Sequence, residues 1–490
     1  MESATIITFI VYIISMVWIG LYFYRRTNDL SDYVLGGRGL NPAVAALSAG
    51  ASDMSGWLLL GLPGALYAYG TNQMWIGIGL TVGAYVNWLV VAGRLRVFTQ
   101  RLGDAITIPD YFESRFEDTG SLLRAVSAIV ILLFFTIYIA SGLVAGAVLF
   151  KNSFGMSYEA ALLIGSLVIV SYSFLGGYNA VSWTDFIQGI LMLLALVAVP
   201  FVVWIEMGSL NDVLQTIASQ NSALLDPFHE LGFVAFVSLM AWGLGYFGQP
   251  HILARFMSIN HVKNVPLARR INIGWMVLAL FGSLMTGLFG IAYFMDAPLS
   301  NPETVFILFT QTIFNPWIAG ILLAAILSAI MSTIDSQILV CSSTLTEDIY
   351  KSYLNKEASQ KSLVWIGRIT VILVALVALY LAQDPESSIL ELVSYAWAGF
   401  GAAFGPVILF SLYWKKMSKE AALAGMLTGA VTVLVWKPLE GGIFDLYELL
   451  PAFLLASTAI YLTGRLKEAP ETLASAFDAC ETHYETSTRS

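Results

Sequence analysis

The sequence predicts an all-α protein that crosses a lipid bilayer many times. Of its 490 residues, 58% are hydrophobic and only 12% are charged, whereas soluble globular domains are about 45–50% apolar and about a quarter charged. The mean hydropathy of +0.76 agrees, because so few charges cannot cover a water-facing surface. Disordered and collagen-like chains are excluded on the same grounds. A net charge of −9 argues against a nucleic-acid partner, since such a partner requires clustered positive charge. Only two cysteines are present, so no disulfide framework is expected.

The membrane-spanning segments can be read directly from the hydropathy. A helix of about 20 apolar residues crosses the hydrocarbon core, and the chain offers about thirteen such stretches. They lie near residues 3–24, 42–70, 74–99, 123–150, 158–175, 178–206, 231–257, 270–296, 315–345, 364–382, 388–413, 419–436 and 446–464. The first stretch has full span length and ends in Arg25-Arg26, which argues against a cleavable signal peptide.

Positive charges predict the orientation of these spans. Of the 24 lysines and arginines, all except Lys151 and Lys437 lie in alternate loops and in the tail, on one predicted side. Loops rich in Lys and Arg stay in the cytoplasm. We therefore expect the N-terminus outside and the C-terminus in the cytoplasm.

Two of the spans are poorly suited to a continuous helix. The second reads SAGASDMSGWLLLGLPGALYAYG and the seventh contains AWGLGYFGQPHILARF. Glycine costs about 1 kcal/mol in a helix interior and proline about 3. Broken backbone at membrane depth persists only where it is buried in protein or lines a cavity. The two spans lie five apart, which predicts inverted repeats around a transport site at the midplane. Ordinary glycine-mediated helix packing is the alternative.

Polar residues in the second and ninth spans point to a cation site. Asp53 at a helix centre costs about 2.5–3.5 kcal/mol and needs a compensating partner; capping the following half-helix is the alternative role. The ninth span carries the hydroxyl pair Ser332-Thr333. Hard cations take several oxygen ligands, which two hydroxyls and the carbonyls of an unwound helix would supply for sodium. The alternative is that the hydroxyls bond to carbonyls of their own helix.

Four blocks of sequence resemble the sodium:solute symporter family. They are GASDMSGWLLLGLPGA in the second span, FLGGYNAVSWTDFIQG from residue 174, YFGQPHILARFM from 246 and MSTIDSQILVCSSTLTEDIY from 331. The blocks occur in the family's order, and the resemblance covers essentially the whole chain. It implies a bacterial inner-membrane symporter with Na+ as coupling ion and, in the members most similar to it, L-proline as substrate.

The resemblance also implies a LeuT-type core of two inverted five-helix repeats. The expected regions are 1–41 (an extra helix and its loop), 42–206 (first repeat), 207–230 (external loop), 231–413 (second repeat), 414–465 (two further helices) and 466–490 (cytoplasmic tail). The external loop contains LNDVLQTIASQNSALL, which predicts a short amphipathic surface helix. The tail of about 25 polar residues is expected to be poorly ordered.

Site residues follow from the resemblance position by position. The implied sodium ligands are the backbone carbonyls of Ala51, Met54 and Ala329 and the hydroxyls of Ser332 and Thr333, with Asp53 as electrostatic support. The implied proline site is lined by Ser55, Gly56, Trp57, Tyr138, Trp242, Tyr246 and Pro250. Residues 242, 246 and 250 are spaced by four and are expected to share a helical face. Freed amides at an interrupted helix end suit the carboxylate. Plain packing is the alternative for the aromatic residues.

A second cation or proton site is a further expectation. Asp185 and Ser336 match positions where some family members bind a second sodium, whereas Asp335 stands where those members have serine. Two buried carboxylates close together require a cation or a shared proton. The alternative is that Asp335 faces an inner vestibule and Asp185 bonds a helix end.

Three basic residues near the predicted cytoplasmic side are interpreted separately. Arg38 could anchor an inner gate or lie at the interface. His251 and Arg255 are interpreted as residues of the cytoplasmic interface, and a role in substrate binding is the alternative.

The expected function is therefore sodium-coupled uptake of proline by alternating access. Another amino acid or a small carboxylate is an alternative solute. A transporter-like sensor would need an output domain, for which the short tail leaves no room. An enzyme would need a nucleophile–base pair, a metal cluster or a phosphate loop, and the sequence suggests none of these. The lipid bilayer is the expected surrounding, and no obligate protein partner is evident.

Overall fold

The computed structural model describes residues 3–24, 30–173 and 177–489. Within these ranges the regular secondary structure is helical, and β-structure is limited to an isolated bridge between Leu40 and Ile259. The all-α prediction is confirmed. Arg25, Arg26 and the first three residues of the block at 174 lie outside the described residues.

The α-helices are numbered in chain order. They are α1 (Ser3–Tyr24), α2 (Leu30–Leu35), α3 (Pro42–Asp53), α4 (Leu62–Tyr69), α5 (Met74–Asn87), α6 (Gly93–Arg101), α7 (Ile108–Phe116), α8 (Leu122–Phe154), α9 (Tyr158–Ser173), α10 (Tyr178–Met207), α11 (Leu210–Asn221), α12 (Phe233–Ala241), α13 (Pro250–Ser258), α14 (Val265–Tyr293), α15 (Val305–Ile313), α16 (Pro316–Ser343), α17 (Gln360–Leu381), α18 (Ile389–Tyr413), α19 (Lys419–Trp436), α20 (Leu449–Leu466) and α21 (Glu471–Arg489). Wider π-helical turns occupy Trp57–Gly61, Trp88–Ala92 and Thr344–Leu354, and a 3₁₀ helix occupies Trp242–Gly248.

Ten helices in the described ranges are long and apolar enough to span a bilayer, or eleven if the bent pair α3 and Trp57–Tyr69 forms one span. Shorter apolar helices at Tyr158–Ser171 and Phe233–Gly248 lie where the fifth and seventh spans were expected. The helix at the fifth predicted span ends next to residues that lie outside the described ranges. The helix at the seventh predicted span is interrupted. The prediction of many spans is confirmed, while the count of thirteen stays a prediction.

Both predicted helix breaks are present. The first break lies at Met54 and Ser55, after α3 ends at Asp53, and the two halves are bent by 62°. The second lies at Gln249, where the chain is extended (φ −79°, ψ 107°) between the 3₁₀ helix and α13. Met54, Ser55 and Gln249 are all buried, so the irregular backbone is surrounded by protein, as membrane depth requires.

Glycine lets the seventh span approach α5 without intervening side chains. A Cβ at Gly83 would overlap the backbone of Gly243, and one at Gly79 would lie 2.6 Å from the carbonyl oxygen of Met240. The backbone of the neighbouring helix cannot move away from an added Cβ as a flexible side chain can. The close contact therefore fixes the depth of the Trp242–Gly248 segment.

The C-terminal tail contradicts its prediction. The expectation of disorder is wrong, because α21 docks through Leu473, Phe477 and Cys480, which recur at helical spacing and are buried. Phe477 packs edge-on against Phe98 of α6 at 5.3 Å. Arg94 of α6 forms an ion pair with Glu481. The charged composition of the tail concealed this apolar stripe.

The short helix predicted in the external loop is confirmed as α11. Ser209 and Asp212 form a capping box at its start, which satisfies two otherwise unpaired N–H groups.

We expect Gly83→Ala to lower the free energy of unfolding by about 1–3 kcal/mol, the usual cost of overpacking a tight contact. Gly274→Ala is the matched control, since a Cβ there meets nothing within 4 Å and alanine favours a helix interior by about 1 kcal/mol. The thermal unfolding midpoint of the purified protein in detergent measures both. Equal midpoints for the two variants would contradict the proposed close approach.

Candidate functional site

Four of the five predicted sodium ligands meet where α16 crosses α3. The Ser332 hydroxyl donates to the carbonyl oxygen of Ala51 at 2.8 Å and lies 3.1 Å from that of Ala329. The Thr333 hydroxyl lies 3.5 Å from the same Ala51 oxygen. All four residues are buried. The cluster is formed by neutral oxygens, the ligand type that hard cations prefer.

The first break explains why the Ala51 carbonyl is available. In a continuous helix this oxygen would accept the N–H of Ser55, but that N–H donates to Asp53 O at 3.1 Å instead. The freed carbonyl is satisfied by hydroxyls from α16. Met54, the fifth predicted ligand, is fully buried at the first residue of the break.

Asp53 connects the two broken spans. Its carboxylate oxygen Oδ2 accepts a hydrogen bond from the Tyr246 hydroxyl, while Oδ1 is buried without a hydrogen-bond partner. Its backbone carbonyl accepts the Trp57 indole N–H at 3.2 Å and the Tyr138 hydroxyl at 3.4 Å. Neither carboxylate oxygen accepts a backbone N–H of the turn that follows at Trp57. The alternative role as a helix cap is therefore wrong, and Asp53 instead holds Tyr246.

An aromatic cluster surrounds this link. The rings of Trp57 and Trp242 are 6.4 Å apart, and Tyr246 packs edge-on against Trp397 at 5.0 Å. The Trp397 indole N–H donates to Trp242 O at 2.8 Å, and Tyr447 stacks on the Trp242 ring at 5.6 Å.

Sequence reasoning missed Trp397 and Tyr447. The glycine-flanked segment AWAGFG at 396–401 resembles AWGLGYFG at 241–248, and that similarity was a usable signal for Trp397. Nothing comparable surrounds Tyr447, which lies just before α20.

The expected shared face of residues 242, 246 and 250 is not formed. The first two lie in a 3₁₀ helix, where three residues make a turn and positions four apart point about 120° away from each other. Pro250 follows the second break and lines a separate small cavity with Ala254 and Val340. The structure therefore places Pro250 away from Trp242 and Tyr246.

The remaining predicted substrate residues lie at the first break. Ser55 is buried, and its Oγ accepts the Trp57 N–H at 3.4 Å. A Cβ at Gly56 would lie 2.7 Å from the Cβ of Ala145 on α8. Gly56 thus lets α8, which also carries Tyr138, approach the broken backbone.

Arg255 corrects the expectation that it lies at the cytoplasmic interface. It is fully buried, and its Nη2 donates to Asp185 Oδ2 at 3.1 Å and to Ser336 Oγ at 2.6 Å. His251, placed with it at the interface, is also fully buried and packs edge-on against Phe135. The second break causes both errors, since α13 restarts inside the protein. Asp335, predicted beside Asp185, is buried as well.

Arg38 connects its own loop to two other segments of the polypeptide. It donates to Asp104 Oδ1 at 3.0 Å, to Met257 O at 2.9 Å and to Ala105 O at 2.7 Å. Burial lowers the pKa of its guanidinium, an effect that the neighbouring Asp104 opposes. The loop before α3 is thereby tied to the end of α13.

Comparison with known sequences gives matches over most of the chain. The profile described as "Sodium:solute symporter family" matches residues 33–429. The sodium/proline symporter of Escherichia coli K12 is 54% identical over 490 residues, covering 99% of this chain and 97% of that protein. The high-affinity proline transporter PutP of Bacillus subtilis 168 is 52% identical over 458 residues, covering 93% and 96% of the two chains.

Comparison with solved structures confirms the LeuT-type fold. A Na+-coupled sialic acid symporter in a substrate-bound, outward-open state superposes with a TM-score of 0.80 at 18% identity, covering 95% of this chain and 98% of that one. MhsT in complex with L-phenylalanine gives a TM-score of 0.51 at 14% identity, covering 86% and 98%. At such low identity the likeness concerns the fold alone.

Proposed function

The chain belongs to the sodium:solute symporter family, and we propose from its site that it takes up L-proline together with Na+ by alternating access. It is a multi-pass protein of the bacterial inner membrane and a transporter, not an enzyme. The observation that carries the proposal is the convergence of Ser332 and Thr333 on the freed carbonyl of Ala51. Ala51 lies two residues before Asp53. The Asp53 carboxylate accepts a hydrogen bond from Tyr246, which belongs to the aromatic cluster.

The sodium gradient supplies enough free energy for accumulation. One positive charge moving through 100 mV releases about 2.3 kcal/mol. A tenfold concentration gradient adds about 1.4 kcal/mol. Together these support an accumulation of a few hundredfold for one sodium per proline.

The proposed sodium ligands are the five oxygens inferred from the sequence. They are the carbonyls of Ala51, Met54 and Ala329 and the hydroxyls of Ser332 and Thr333. A hydroxyl that now donates to a carbonyl offers its lone pairs to a cation after a simple rotation about its C–O bond. Asp53 compensates the positive charge without coordinating it.

The proposed proline site lies on the other side of Asp53. The ring of the bound proline packs against the indoles of Trp57 and Trp242, where each Å² of buried apolar area stabilises binding by about 25 cal/mol. Ser55, Gly56, Tyr138 and Tyr246 complete the wall. Pro250 is assigned to the separate small cavity that it lines, outside this site.

The Asp53–Tyr246 hydrogen bond is the proposed coupling element. A cation at the Ala51 carbonyl attracts the Asp53 carboxylate, which lies two residues further along the chain. That carboxylate accepts the hydrogen bond of the Tyr246 hydroxyl, and this bond positions the segment that carries Trp242. Sodium binding thereby orders the pocket for proline.

The proposed orientation places the C-terminus in the cytoplasm. Helix α21 contacts Arg94 and Lys415 through Glu481 and Asp478, so the tail lies on the side of the basic loops. Basic loops stay inside. The regions 42–206 and 231–413 are the proposed inverted repeats, with 1–41 and 414–465 outside the core, 207–230 as external loop and 466–490 as cytoplasmic tail.

The proposal is tested with purified protein in proteoliposomes. Uptake of labelled L-proline should require an inward sodium gradient and should be competed by unlabelled proline more strongly than by other amino acids or small carboxylates. Uptake that is equally fast without a sodium gradient would contradict the symport mechanism. Stronger competition by another solute would identify that solute as the substrate.

We expect Thr333→Ala and Ser332→Ala each to raise the half-saturating sodium concentration tenfold or more, roughly 1.4 kcal/mol for a lost ligand. Ser343→Ala is the matched control, because this buried hydroxyl on the same helix bonds only carbonyls of its own helix. Sodium titration of proline uptake measures the effect. An unchanged sodium requirement in well-expressed Thr333→Ala protein would remove Thr333 from the site.

Asp53→Asn should abolish uptake or reduce it severely, because the neutral amide no longer compensates a nearby cation. Asp53→Glu keeps the charge and should retain some uptake at high sodium. Initial rates over a wide sodium range, normalised to expression, compare the two. Near-normal rates for the asparagine variant would show that the charge is dispensable.

Tyr246→Phe should raise the half-saturating concentrations of both sodium and proline, since it removes the donor to Asp53 and leaves the ring in place. Trp242→Leu should raise the half-saturating proline concentration and leave that for sodium nearly unchanged. Paired titrations of uptake against each solute distinguish the variants. If Tyr246→Phe affected proline alone, the coupling role of its hydroxyl would be wrong.

A further inference from the structure

The C-terminal helix α21 is held on two sides by contacts of different strength. On its first side it packs on α6, where Phe477 lies edge-on to Phe98 at 5.3 Å. Glu481 pairs with Arg94 through both carboxylate oxygens, one of them 2.6 Å from Nη2. Burial of apolar area and a two-point charge pair both stabilise this contact. The α6 side is therefore the stronger of the two.

On its second side α21 is tied to the loop between α18 and α19. The linker at its start is anchored there, since the N–H of Ala469 donates to Lys416 O at 3.0 Å. Further along the helix, a carboxylate oxygen of Asp478 lies 3.1 Å from Lys415 Nζ. These two side chains are 57% and 49% exposed, and an exposed pair stabilises little because solvent screens it. The Asp478–Lys415 pair is therefore the contact of α21 that opens most easily.

The helices that α21 joins are attached to opposite sides of the second break. The Trp242–Gly248 segment packs on α18, since a Cβ at Gly248 would overlap the carbonyl oxygen of Phe400. Helix α18 packs on α19 and α20 in turn. Beyond the break, the end of α13 is attached to α6, because Arg96 Nε donates to Ile259 O at 2.5 Å. By linking α6 to the loop after α18, helix α21 bridges the break from outside.

Helix α6 also meets the end of α18 directly. Arg94 Nη1 donates to Leu412 O at 3.3 Å, and the guanidinium lies 4.3 Å from the centre of the Tyr413 ring. The same guanidinium lies 5.1 Å from the ring of Tyr484 on α21. The tail helix therefore covers the junction between α6 and α18 and reinforces it.

We propose that α21 is an inhibitory clasp on the side of the basic loops. While Asp478 is paired with Lys415, α21 holds α6 and α13 against α18, α19 and α20. When the pair opens, α21 stays on α6, turns about the linker at Ala469 and lets α13 move away from the Trp242–Gly248 segment. The inference rests on the proposed function and orientation.

Reversible crosslinking tests which contact of α21 has to open. The two cysteines of the chain are first replaced by alanine. Lys415→Cys with Asp478→Cys then provides the loop-side pair. Arg101→Cys with His483→Cys is the matched pair on the α6 side, because Arg101 Nη2 lies 2.9 Å from a ring nitrogen of His483. A bifunctional methanethiosulfonate bridges each pair in detergent before reconstitution, and dithiothreitol removes the bridge.

We expect the loop-side crosslink to stop sodium-driven proline uptake in proteoliposomes, and removal of the bridge to restore it. The α6-side crosslink should leave uptake unchanged, because α21 stays on α6 in both states. Full uptake with the loop-side crosslink would overturn the clasp. Equal inhibition by both crosslinks would also overturn it, since α21 would then have to leave α6 as well.

Amide hydrogen exchange tests the restraint without any transport. Asp478→Lys places two like charges at the loop-side contact, so exchange in α13 should become faster while α21 stays protected on α6. Asp478→Lys combined with Lys415→Asp restores a pair of opposite charges and should return α13 to the wild-type rate.

Unchanged exchange of α13 in the Asp478→Lys variant would show that the tail does not restrain this half-helix, which would overturn the proposal. This measurement needs no substrate. If proline proved not to be the substrate, the exchange result would stand unaffected, so failure of the proposed function is distinguishable from failure of the clasp.

Discussion

A helix that breaks at membrane depth must have its freed backbone groups satisfied by other parts of the protein, and the rest of this structure depends on that constraint. The break at Met54 and Ser55 releases the carbonyl of Ala51, which hydroxyls of α16 then reach. It also turns the Asp53 carbonyl toward Trp57 and Tyr138. The proposed sodium ligands and the proposed substrate wall are therefore two consequences of one local loss of helical hydrogen bonding.

Two buried carboxylates attach the second broken span to the rest of the core. Asp53 is held by Tyr246, before the second break, and Asp185 is held by Arg255, after it. The seventh span is thus tied to the rest of the core at two depths by two donors of different character. A neutral hydroxyl lies beside the aromatic cluster, and a permanent charge lies toward the basic loops. The two halves of the span are therefore anchored to the core by separate contacts, one on each side of the break.

Much of the fold was predictable because hydropathy and helix-breaking residues act locally. The order of the spans, both breaks and α11 follow from short windows of sequence. The tail was mispredicted because Leu473, Phe477 and Cys480 are sparse among charged residues, and their burial depends on a surface supplied by α6. Trp242 and Tyr246 were assigned a shared face with Pro250 because a continuous α-helix was assumed where the chain forms a 3₁₀ helix.

The sequence by itself determined that this protein lies in a membrane, where its helices weaken and which oxygen-bearing residues stand near the weak points. These properties depend on neighbours within about one helical turn to one span. Only the tertiary structure decided the partners: Ser332 meets Ala51 across 281 positions, Tyr246 meets Asp53 across 193, and Arg255 meets Asp185 across 70. Partner choice depends on how separate helices pack in three dimensions, and no local pattern of residues encodes the depth or the rotation at which two of them meet.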